Sequence, residues 1–183
     1  MMIMRPDIRV ILVLVFMAGC AAPTAQRTTA APASAPATTG PPVLPELARK
    51  AIDEKYKQWD LARVVPAGSC QDRLGPSPNL ISGDFNDDGF TDYGAWIATS
   101  GGVRLIALMG WLSDYQVYEL ETLPDTTAPR FLGLEKRGTK FSNPKTKLED
   151  YFSQNTLTTY SCGKDRIVYL WVGFHFEREV LPD

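Results

Sequence analysis

Between Leu44 and Val64 the apolar positions recur every three or four residues: Leu47, Ala48, Ala51, Ile52, Tyr56 and Trp59. That spacing gathers them on one face, with Lys and Glu on the other, and predicts an amphipathic helix. Pro45 suits its first turn. Downstream the period changes. "NLISGDF" reads as a short strand entering an acidic stretch, and "DYGAWIATS" as the strand leaving it. "SGGVR" is a two-glycine hairpin signal, and "VRLIALMGW" runs back. "DYQVYELE" alternates, setting Tyr115, Val117 and Glu119 on one side against Gln116, Tyr118 and Leu120 on the other. "TLPDTTAPR" is a loop. "RFLGLEKRG", "LTTYSCG", "DRIVYLWV" and "FHFEREV" are further strands, while "KFSNPKTKLEDYF" fits neither period. One helix followed by a run of strands predicts an α+β fold, with the N-terminal amphipathic helix packed on an antiparallel β meander. Nothing repeats at a fixed interval, which argues against a propeller or solenoid.

The region before this helix has another character. Residues 1–19 hold Arg5 and Arg9 and then the apolar run Val10–Ala18, the layout of a signal peptide and far short of the ~20 residues of a membrane span. "FMAGC" resembles the bacterial lipobox, with Met17 where Leu is usual. The resemblance implies that Cys20 is diacylated and begins the mature chain; an ordinary secreted protein is the alternative. Two acyl chains give lasting membrane attachment where one does not. Residues 20–43 are then the lipidated Cys and an Ala/Pro/Thr-rich linker. It has too little apolar surface to offset ordering entropy, so it is expected to be a disordered tether. Residues 44–183 form the globular α+β domain. The expected location is the cell envelope, with the outer membrane favoured if the cell has one, because Ala21 rather than Asp follows Cys20.

Losing Arg5, Asp7 and Arg9 with the leader moves the net charge only from −2 to −3. Such a balance argues against a nucleic-acid partner. Three cysteines occur in the chain. With Cys20 taken by lipid, Cys70 and Cys162 remain, and an exported pair is expected to bridge. Two unpaired buried thiols are the alternative.

The acidic stretch "GDFNDDGFTDYGAWI" places Asp84, Asp87, Asp88 and Asp92 within nine residues, and no Lys or Arg lies between Arg73 and Arg104. Counting from Asp84, the pattern is D-x-N-x-D-G-x-x-D. Alternate side chains of a tightly coiled loop converge, so Asp84, Asn86, Asp88, the Phe90 carbonyl and Asp92 can offer oxygens to one ion. Gly89 permits the sharp turn. An oxygen-only set without sulfur or imidazole fits Ca²⁺ and disfavours zinc and copper, while magnesium demands stricter geometry. The alternative is a metal-free Asx-rich turn.

Ala95 stands where an EF-hand would place its bidentate Glu, and the flanks are strand-like. The stretch instead resembles the FG-GAP or VCBS type of loop, in which a calcium loop joins two antiparallel strands. About fifteen residues carry this resemblance, and a single copy builds no propeller, so only the loop chemistry carries over. Asp87 stands where that family often has Gly. More broadly, the leading helix ending "YKQW", the acidic loop and the terminal "VYLWVGFHFEREVLPD" resemble small uncharacterised bacterial exported proteins, which implies fold and location but no activity.

No catalytic motif stands out. His175, the only His, lies in "FHFERE" between two Phe on an expected strand. Glu177 and Glu179 flank Arg178 and read as a solvated face. Trp96, Trp111 and Trp171, with Tyr93, Tyr169 and Phe174, read as core, or else as a sugar- or partner-binding surface. The expectation is a membrane-anchored, non-enzymatic module for binding or scaffolding, with an envelope protein or glycan as partner. An inhibitor or immunity-type partner of an envelope enzyme, and a cell-wall or glycan hydrolase, are the rivals.

Overall fold

A computed structural model describes residues 41–64, 77–124, 130–161 and 165–182. Cys20, Cys70 and Cys162, with the expected leader and most of the linker, lie outside the described residues. The elements in chain order are α1 (Glu46–Lys55), β1 (Trp59–Leu61), β2 (Leu80–Gly83), β3 (Asp92–Thr99), β4 (Gly102–Trp111) and β5 (Asp114–Leu123). They continue with β6 (Phe131–Glu135), β7 (Lys140–Ser142), β8 (Glu149–Tyr151), β9 (Thr156–Tyr160), β10 (Arg166–Val172) and β11 (His175–Leu181).

This overturns the α+β expectation. The described residues are predominantly antiparallel β-sheet with a single helix of ten residues. The strands do not form one meander either. The first sheet runs β1-β3-β4-β5, with β2 also on β3, and the second runs β11-β10-β9-β6. β7 and β8 make a separate hairpin. The helix is shorter than its periodicity suggested. At Tyr56 the backbone becomes extended, and Trp59–Leu61 pair with Ile97–Thr99 on the edge of β3. Trp59 turns back to donate its indole N–H to Asp53 at 2.7 Å. Ladder bonds to an available strand edge outweigh the small helical preference of "KQW".

Four layers result. Ala48, Ala51 and Ile52 of α1, with Leu44, pack on Ala95, Ile97, Ile106 and Leu108 of the first sheet. The opposite face of that sheet, with Trp96, Leu105, Ala107 and Met109, meets Phe131, Leu157, Ile167 and Tyr169 of the second. Val168 and Leu181 turn outward beneath Phe152, against which Phe141 and Leu170 pack. β3 and β4 are therefore covered on both faces, which explains their near-continuous apolar sequences. A polar bond crosses between the sheets where Tyr169 donates its hydroxyl to Glu121 at 2.6 Å. Burial and this carboxylate push the Tyr169 phenol well above its ordinary value.

Candidate functional site

The acidic loop connects β2 to β3 as a tight coil closed by its own side chains. Asp84 accepts the amides of Asp88 at 3.1 Å and Gly89 at 2.9 Å. Asn86 also accepts the Asp88 amide, at 3.3 Å, and donates its side-chain N–H to Asp88 Oδ2 at 2.7 Å. The other Asp88 oxygen accepts the Phe90 amide at 2.8 Å. Gly89 takes φ +87°, the left-handed region that favours glycine. The alternation read from the sequence therefore does bring Asp84, Asn86 and Asp88 onto one coil.

Asp92 is placed differently. It is 0% exposed, and each oxygen holds a backbone amide: Phe85 on one at 2.7 Å and Gly110 on the other at 2.7 Å. It thus fastens the loop to the end of β4. Burial pushes its carboxyl up to about 7 against those two bonds, and Asp88 and Asp84 nearby add to the rise. Among the described residues no cationic side chain bonds Asp84, Asp88 or Asp92. Among the described residues, Arg137, from the turn after β6, pairs with Asp87 at 2.7 Å on the exposed side. Asp87 itself takes φ +61°, at the position where the resembling loops often carry Gly.

Two residues here escaped sequence reasoning. Arg137 is fifty positions from Asp87, so no local pattern joins them. Gly110 had a signal, being a glycine within an apolar strand. A Cβ there would lie 2.6 Å from the Thr91 carbonyl oxygen, so glycine is what lets the loop lie flat against β4.

Among the described residues no group of three or more His, Cys, Asp or Glu side chains is gathered as a ready metal cage. The loop oxygens are instead engaged with amides. Each carboxylate oxygen keeps a second lone pair, so accepting one N–H leaves it able to ligate an ion. The donor set fits a hard cation on chemistry, provided that the Asn86–Asp88 bond opens.

The other candidates are scattered. His175 Nε2 lies 3.6 Å from Glu177 on the same exposed strand face. Glu179 pairs instead with Lys145. Of the aromatic residues, Trp96 and Tyr169 are buried in the core, whereas Trp111 and Phe174 are exposed. An open depression of about 700 Å³ lies beside α1 and β1, lined by Arg49, Asp53, Lys57, Gln58, Trp59 and Asp60. Comparison of the chain with protein-family models, curated proteins and solved structures gives no match.

Proposed function

We propose that this protein is a lipid-anchored cell-envelope module for binding or scaffolding, in which the Asp84–Asp92 loop captures a structural Ca²⁺. One observation supports it above the rest. Asp84, Asn86 and Asp88 share one glycine-bent coil above a fully buried Asp92, and no described base neutralises them. Asp84, Asp88 and Asp92 repel one another, and a divalent cation relieves that repulsion. In this reading Asp84, Asn86, Asp88 and the Phe90 carbonyl face the ion, and Asp92 acts from beneath by fixing the loop. Diacylated Cys20 and the Pro-rich linker hold the domain at the membrane, and the outer membrane is favoured in a cell that has one. The pairing of His175 with an exposed Glu177 on one open strand gives the hydrolase alternative little support.

Thermal melting with Ca²⁺ and with EGTA tests the site. Affinity in the range of extracellular modules, about 10⁻⁴–10⁻³ M, gives about 1.4 kcal/mol at tenfold saturation. For a domain of this size that is a rise of about 3–6 °C. Asp88→Ala should remove the rise. A mutant that still responds to EGTA like the parent would count against the loop as the site.

A further inference from the structure

An open sheet ends in edges, and each edge turns unpaired amides and carbonyls towards whatever lies beside it. Two edges of the sandwich are met from within the chain. Leu132 of β6 donates its amide to the Pro78 carbonyl at 2.8 Å, just ahead of β2, which closes one side between the sheets. On β5, Lys55 reaches from the end of α1 to the Val117 carbonyl at 3.2 Å.

The edge at β11 is different. This strand ends the second sheet and pairs with β10 alone. Val172 and His175 face each other across the two-residue Gly173–Phe174 turn, with Gly173 at φ +64°. Ladder bonds of an antiparallel pair alternate between the two sides of a strand, so Phe176, Arg178 and Val180 aim their amides and carbonyls away from β10. Among the described residues no hydrogen bond reaches those groups. Apolar side chains stand at both ends of the strand, Phe174 at 89% exposure and Val180 at 42%.

Charge decides which strand fits there. Side chains alternate, so His175, Glu177 and Glu179 share the outer face, while Phe176 turns inward to pack on Tyr118 of the first sheet. A second β11 running antiparallel about a two-fold axis normal to the sheet keeps inner face with inner face, and the pairing then centres on one residue. Centred on Arg178, it sets Arg178 against itself and Glu177 against Glu179. Centred on Glu177, it sets Glu177 against itself. Centred on Phe176, it sets no like charges directly opposite. His175 then faces Glu177 of the second copy, Phe176 faces its counterpart, and the bare Phe174 ring faces an Arg178 guanidinium. Glu179 lies beyond the matched stretch, paired with Lys145 of its own chain.

We propose that β11 is a self-recognition edge. Two copies of this chain join β11 to β11, antiparallel and centred on Phe176, and their four-stranded sheets merge into one. Residues 174–178 of each copy make the contact. That is less than the roughly 800 Å² a side of a standard interface, so the dimer is weak and forms where the chain is concentrated. No residue of the acidic loop takes part, so the inference stands apart from the calcium reading.

Sedimentation equilibrium of the full chain in detergent and EGTA tests it. The parent should pass from monomer to dimer with rising concentration. His175→Glu sets glutamates opposite Glu177 on both sides of the axis and should weaken the dimer about tenfold. His175→Glu with Glu177→Lys restores opposite charges and should recover it. Both positions are exposed, and melting at low concentration checks that each variant folds as the parent does. A chain that stays monomeric up to about 0.5 mM would overturn the proposal and leave the edge to a strand of another protein. Association that His175→Glu leaves unchanged would overturn it too. Rescue by Glu179→Lys in place of Glu177→Lys would overturn the register, because it puts the axis at Glu177.

Discussion

Asp92 and Asp88 are both acids of one loop, yet they are held in opposite ways, and substitution should separate them. Asp92→Ala would strip the Phe85 and Gly110 amides of their acceptor in a site closed to water. Two orphaned buried N–H groups cost about 2–4 kcal/mol together, and that loss should persist in EGTA. Asp88 is exposed, and Asp88→Ala in EGTA should cost less than about 1 kcal/mol. Denaturant melts of both variants with and without calcium would show this. Equal losses in EGTA would mean that Asp92 is no anchor. The sequence made the four acids and the bend at Gly89 visible because they depend on local spacing. It could not reveal which acid turns inward, since the partner of Asp92 is the amide of Gly110 on another strand.

At the level of elements, β5 shows how a period can mislead. Leu105 pairs with Glu121 and Ile106 with Glu119, so the register slips at Leu120. Before this bulge Tyr118 faces the second sheet; after it Glu121 does, through Tyr169. Glu119 and Glu121 are two apart, where plain alternation would give them one face, yet Glu119 serves the helix side instead. There it accepts Tyr56 at 2.7 Å, Arg104 at 2.6 Å and Thr122 at 2.6 Å, tying the end of α1 to the sheet. Burial raises the Glu119 carboxyl, but the bonds from Thr122 and Tyr56 and the Arg104 charge outweigh it and leave it below the ordinary 4.5. A depressed carboxyl stabilises the fold above the unfolded-state value, and that contribution is lost as pH falls through the lowered one. Glu119→Gln should therefore cost about 1 kcal/mol at neutral pH, allowing for its partial exposure, and the gap to the parent should close as pH falls through the lowered carboxyl value. A gap that stays constant across that window would show that the charge contributes nothing. The early end of α1 has a similar cause. Apolar spacing continued through Trp59, but the open edge of β3 claimed that segment.

At the scale of the whole molecule, the stacking of two sheets with a helix on one side and a hairpin on the other is not written in any local period. Each strand's alternation says that it has two faces, never which other strand lies across the core. The fold class was misread for that reason, although β3 and β4 were legible as apolar strands either side of a glycine turn. The expected Cys70–Cys162 bridge belongs to this scale, and both cysteines lie outside the described residues. Pro78 accepts the Leu132 amide at 2.8 Å, while Leu132 and Phe131 pair with Thr159 and Tyr160, two residues before Cys162. The two segments thus meet at Leu132, with Pro78 eight residues beyond Cys70. Closing a loop of about 90 residues should contribute roughly 4–5 kcal/mol in the chain-entropy model, or about 10–20 °C in melting temperature. Reductant should lower the melting temperature of the parent by that amount. A Cys70→Ser/Cys162→Ser variant should melt where the reduced parent does and ignore the reductant. If the variant instead melts with the oxidised parent, the two thiols are not joined, and the stability of the sandwich comes from its apolar layers alone.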